Sequence, residues 1–73
     1  MQRPTNYIAA NADGTFDAMV PGHFLSRCQL WECVRHLCRF TDRVGGVVPL
    51  FDRVGECWRQ VDVATLLGMK GGA

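Results

Sequence analysis

Residues Ser26–Thr41, SRCQLWECVRHLCRFT, decide the fold, because they carry the one clear 3.6-residue apolar period in the chain. On a helical wheel Leu30, Trp31, Val34, Leu37 and Cys38 share one face, while Gln29, Glu32, Arg35, His36 and Arg39 fall on the other. That is a core-facing stripe with a solvated back. Ser26 with Gln29 three residues on fits a capping box, and Leu25 with Leu30 fits the hydrophobic staple around it. The pattern predicts a helix over 26–41 with Trp31 central on its buried face.

Short alternating segments flank this helix. Tyr7–Ala10 reads as a strand, Asn11–Gly14 as a turn and Thr15–Val20 as the returning strand. Asp13-Gly14 as a two-residue hairpin loop would place Tyr7 and Ala9 on the face of Phe16, Ala18 and Val20, toward the helix. Pro21-Gly22 ends that strand. Beyond the helix, Gly45-Gly46 breaks the chain and Val47–Phe51 reads as a third strand, with Pro49 marking an edge position. Asp52–Gly55 is a turn. Glu56–Val61 reads as a fourth strand with Trp58 and Val61 on opposite faces, although a helix through Trp58–Leu67 is an alternative. Asp62 could cap a short helix, Val63–Met69. The expectation is an α+β domain: one helix over about 26–41 packed on a small antiparallel sheet of hairpins, with a short C-terminal helix.

The 73 residues make one domain, 1–73, with flexible ends expected at about 1–5 and 70–73. A core one helix thick leaves little room for an enclosed active site. Stability for such a chain is roughly 3–5 kcal/mol. The net charge of +1 gives no bulk electrostatic argument for nucleic acid or a membrane surface. The opening MQRPTNYIAA lacks the long apolar run of a signal peptide, and no stretch approaches a membrane span. The expected location is therefore a cytoplasm, with thiols reduced.

Candidate chemistry is sparse. Cys28, Cys33 and Cys38 are five residues apart, and on a helix they advance by about 140° each, so they point three ways. With Cys57 distant and no Cys-x-x-Cys knuckle, the favoured reading is small apolar side chains filling a core rather than a zinc site or a disulfide framework. Cys33 and His36 are helical neighbours, but nothing supplies a third group to orient the histidine, and His36 is expected to pair with Glu32 instead. Arg35, Arg39 and Arg43 recur every four residues; they read either as a solvated face suited to a helix C-terminus or as a phosphate-contacting stripe. Beside Phe40, Phe51, Arg53 and Trp58 they also have the composition of a protein-binding surface. Gln60–Met69, QVDVATLLGM, resembles the first helix and turn of a phage-repressor helix-turn-helix. Only four residues follow it, too few for a recognition helix, so it is read as a helix packing on the core.

One resemblance concerns the whole chain. The opening MQRPTNYIAANADGTFDAMV, the cysteine-bearing SRCQLWECVRHLCRF and the ending LLGMKGGA resemble a small transcription regulator made by a lytic bacteriophage. The resemblance implies binding to the β′ subunit of the bacterial host's RNA polymerase, inhibition of transcription initiation and antitermination. It carries over no binding residue by motif. Together these readings lead to a non-enzymatic monomeric module in the host cytoplasm, without metal or cofactor. Arg35, Arg39, Phe40, Arg43, Phe51, Arg53 and Trp58 are its candidate contacts, with DNA or RNA only as neighbours in the complex. The alternative is a small nucleic-acid-binding protein using the Arg35/Arg39/Arg43 stripe. A metal- or thiol-dependent protein is the third possibility.

Overall fold

Alternation in the sequence builds a sheet, and the amphipathic stripe lays a helix across one side of it. The computed structural model of the chain describes residues 4–42 and 46–64. Among them the order is β1 (Tyr7–Ala10), β2 (Phe16–Met19), β3 (Leu25–Cys28), α1 (Leu30–Thr41), β4 (Val47–Asp52) and β5 (Cys57–Asp62). The five strands form one sheet in the order β3-β2-β1-β4-β5. The fold is α+β, as expected. The sheet is mixed rather than wholly antiparallel, because β1 and β4 pair in parallel, Ile8 opposite Leu50. The chain reaches β4 only after passing through β3 and α1, and a parallel neighbour requires such a long connection.

The first hairpin differs from the expected register by one residue. Tyr7 opposes Met19, Ile8 opposes Ala18 and Ala10 opposes Phe16. The connection is a five-residue loop rather than Asp13-Gly14 alone. The Asn11 N–H donates to the Thr15 carbonyl at 2.9 Å, and the Asp13 carboxylate accepts from the Thr15 N–H at 3.0 Å. A slip of one residue exchanges the two faces of a strand. Ile8 and Ala10 therefore look toward the helix with Phe16 and Ala18, and Tyr7 and Ala9 look away.

The helix begins four residues later than the pattern predicts. The capping box is built by Gln29 and Glu32, with the Gln29 N–H donating to the Glu32 carboxylate at 3.0 Å. Ser26 lies in β3. There Phe16 opposes Cys28 and Ala18 opposes Leu25, so β3 carries one extra residue across that step. Arg27, at φ 55°, lies in this bulge, and its N–H donates to the Asp17 carboxylate at 3.0 Å. Strand pairing and a side-chain acceptor from β2 thus take the segment that the local cap signal assigns to the helix.

The buried core comprises Ile8, Ala18, Val20, Cys33, Val34, Leu37, Val48, Leu50 and Val63. The helix packs across β1, β2 and β3. Cys33 takes the central position expected for Trp31, which lies half-buried at the flank with Arg35 over its ring. The helix ends at Asp42 in the left-handed conformation, its N–H bonded to the Cys38 carbonyl.

Pro49 sits in β4 between β1 and β5, not at an edge. The β1 register begins at Leu50, so Pro49 precedes that ladder and its missing N–H costs no bond to β1. Residues 57–62 are strand, which replaces the helical alternative through Trp58. Residues 63–64 are helical, with Val63 buried, and the rest of the expected helix to Met69 and the repressor-like segment beyond Ala64 lie outside the described residues. No helix among the described residues is long and apolar enough to cross a membrane.

Candidate functional site

The candidate contact residues fall on two opposite sides of the molecule. Arg35, Arg39 and Phe40 lie on the outer face of α1. Phe51 and Trp58 lie on the sheet face away from the helix, because Phe51 opposes Trp58 and Ala9, and neither belongs to the helix-facing set with Ile8 and Leu50. Arg43 lies outside the described residues.

On the open sheet face the register correction brings Tyr7 beside Trp58, their ring centroids 5.2 Å apart and edge-on. Phe51 is 4.9 Å from Trp58. Tyr7 is absent from the contact set read from sequence, because the two-residue loop turned it toward the core. Arg53 is engaged internally. Its guanidinium donates to the Asp17 carboxylate at 2.9 Å and to the Asn11 side-chain carbonyl. Asp17 is the centre of this network, also accepting from the Asn11 amide at 3.0 Å and from the Arg27 N–H. Burial pushes the Asp17 carboxyl up, but the bonds from Arg27, Asn11 and Arg53 outweigh it and hold the group below its ordinary value. Asp17 thereby ties the β1–β2 loop, the β3 bulge and the β4–β5 turn together. A surface cleft of about 470 Å³ opens over this network, lined by both Asp17 and Asp13 and by Arg27 and Arg53. The two carboxylates and two guanidiniums balance, which gives the cleft no net preference for an ion.

The outer face of α1 is organised differently. The Arg35 guanidinium lies over the Trp31 ring at 5.3 Å, and that of Arg39 over the Phe40 ring at 5.7 Å. Each cation is steadied by an aromatic face, an arrangement worth about 0.5–1 kcal/mol at an exposed position. His23, in the segment between β2 and β3, stacks on Phe40 with ring centroids 4.0 Å apart and planes 13° from parallel. His36 packs on the same ring at 4.7 Å and bonds through Nε2 to the His23 carbonyl. This replaces the expected His36–Glu32 pair, since Glu32 is held at the helix start. The histidine has a partner thirteen residues away, and nothing local in the sequence signals it. Leu25, Glu32, Arg35, His36 and Arg39 line a shallow cleft of about 220 Å³ here.

Cys28 and Cys33 lack the surroundings that activate a nucleophile, because burial pushes both thiols up. Burial is the main force pushing the Cys33 thiol up to about 12, whereas a reactive thiol needs its pKa lowered. All four cysteines carry free thiols, from buried Cys33 to exposed Cys57. Among the described residues no three histidine, cysteine or acidic side chains come together in a metal-ligating group. No protein-family model, no curated protein and no solved structure matches the chain.

Proposed function

We propose that the chain is a phage-encoded protein-binding module that engages host RNA polymerase at its β′ subunit, inhibiting initiation and acting as an antiterminator. The partner and the two activities come from the whole-chain resemblance. One structural observation carries the binding-module reading. The outer face of α1 presents two arginines, each ordered by an aromatic ring, around a shallow cleft. Aromatic and arginine side chains dominate the few residues that supply most of the energy in protein interfaces.

The alternative, a nucleic-acid-binding protein using Arg35, Arg39 and Arg43, has the four-residue spacing in its favour. A net charge of +1 counts against it, because phosphate-driven affinity scales with the cations engaged and falls steeply with salt. The test is affinity capture from nuclease-treated bacterial lysate with the tagged chain. Capture of the polymerase, β′ included, is expected. Capture of no polymerase subunit would sink the proposal, and capture that disappears on nuclease treatment would favour nucleic acid.

A further inference from the structure

We infer that the cleft on the outer face of α1 is a docking site for an acidic protein segment with two carboxylates one helical turn apart. The inference rests on the reading of the chain as a protein-binding module and names the chemistry of what it binds.

Four observations carry it. First, Arg35 and Arg39 are four residues apart on one helix, with Cβ atoms one turn, about 5–6 Å, apart, and both side chains line the cleft. Two carboxylates in an i, i+4 pair on a facing helix have the same separation. Second, both guanidiniums are steadied by the Trp31 and Phe40 rings, so less side-chain freedom is lost when they close on a partner. Each retains a planar fork suited to a bidentate carboxylate. Third, the one acid lining the cleft, Glu32, is already committed to the Gln29 N–H at the positive end of the helix. Arg35 and Arg39 outnumber this one carboxylate, so the fixed charges of the cleft are positive in sum. Fourth, apolar surface adjoins the charges: Leu25 lines the cleft, and Phe40, whose ring lies 5.7 Å from the Arg39 guanidinium, is 41% exposed. A partner with an apolar residue between its two acids would meet charge and apolar contact together.

The same geometry disfavours a phosphate backbone. Two engaged cations correspond to a salt slope of about −2 in log affinity against log salt, the signature of weak electrostatic binding. The exposed apolar border gives a polyanion nothing in return.

The experiment uses the isotope-labelled full chain and two blocked helical peptides. One carries Glu at positions i and i+4 with Leu between them, and the other carries Gln at both Glu positions. A ten-nucleotide oligouridylate is the third probe. Binding is followed by NMR through the side-chain Nε–H signals of Arg35 and Arg39. The Glu peptide is expected to give saturable shifts there and to bind at least tenfold tighter than the Gln peptide. Arg35→Gln with Arg39→Gln should abolish binding with the helix signal intact, and Arg59→Gln should leave it unchanged. No saturable shift, equal binding of the two peptides, or undiminished binding by the double variant would overturn the inference. So would tighter binding of the oligouridylate. Polymerase capture separates this inference from the polymerase reading. Wild-type capture that survives the double variant refutes this docking site alone. Glu-peptide binding by a chain that captures no polymerase refutes the polymerase reading alone.

Discussion

Replacing Leu37 by Ala probes the packing that holds the helix to the sheet. Leu37 is 1% exposed and belongs to the core cluster with Ile8, Val34 and Val48. The substitution removes three carbons from a site with no access to water, about 2.4 kcal/mol at 0.8 kcal/mol per carbon. The cavity left behind adds to this, and Leu→Ala changes in cores span about 2–5 kcal/mol in total. A value near 3 kcal/mol is expected here, which would consume most of the roughly 3–5 kcal/mol available to a chain of this size. Urea unfolding followed by far-ultraviolet circular dichroism measures it. The variant should keep only about 0–2 kcal/mol, so its urea midpoint should fall close to zero denaturant at 25 °C, with Phe24→Ala, at an exposed position, as a control within about 0.5 kcal/mol of wild type. A loss below about 1 kcal/mol for Leu37→Ala would show that the helix does not pack on this face.

The Asp17 network should make stability depend on acid. Its folded pKa lies below the ordinary 3.8, so its contribution is present above that value and is lost as pH falls through the folded pKa. Asp17→Asn, measured by denaturant unfolding at pH 7, should cost about 1–3 kcal/mol by weakening the bonds from Arg27, Asn11 and Arg53, and should flatten the acid limb of the stability profile. A thiol reagent at neutral pH should label exposed Cys57 first and leave buried Cys33 unlabelled until the chain unfolds, as read by mass spectrometry. Excess reductant and a strong chelator should leave the circular dichroism unchanged; loss of the helix signal under either would overturn the reading of the cysteines as structural thiols.

Much of this fold is legible from the residues, and what is not has a common cause. The strands at 7–10, 16–19, 47–52 and 57–62 stand within a residue or two of the expected segments, and the helix buries Val34 and Leu37 as read, with Cys33 rather than Trp31 central. Local pattern is enough for these. The misread parts depend on partners distant in sequence. Leu25–Cys28 has a helix-start signal in Ser26 and Gln29, yet β2 pairs with it and Asp17 captures the N–H of its bulge. The face of Tyr7 depends on a loop whose length is set by Asn11 and Asp13 bonding to Thr15. The parallel pairing of β1 with β4 has no signature in either strand. The candidate surface follows the same rule. Arg35, Arg39 and Phe40 share a face because the helix puts them there. Their separation from Phe51 and Trp58, the recruitment of Arg53 into a structural network and the stacking of His23 on Phe40 all arise from tertiary contacts.

Recognition of polymerase through protein surface remains the central proposal for this chain. Its most direct test is equilibrium binding of the fluorescently labelled chain to purified host core polymerase, free of DNA and RNA, at physiological salt. The account predicts saturable binding, weakened at least tenfold by Arg35→Glu with Arg39→Glu. Absence of binding until nucleic acid is added would contradict it.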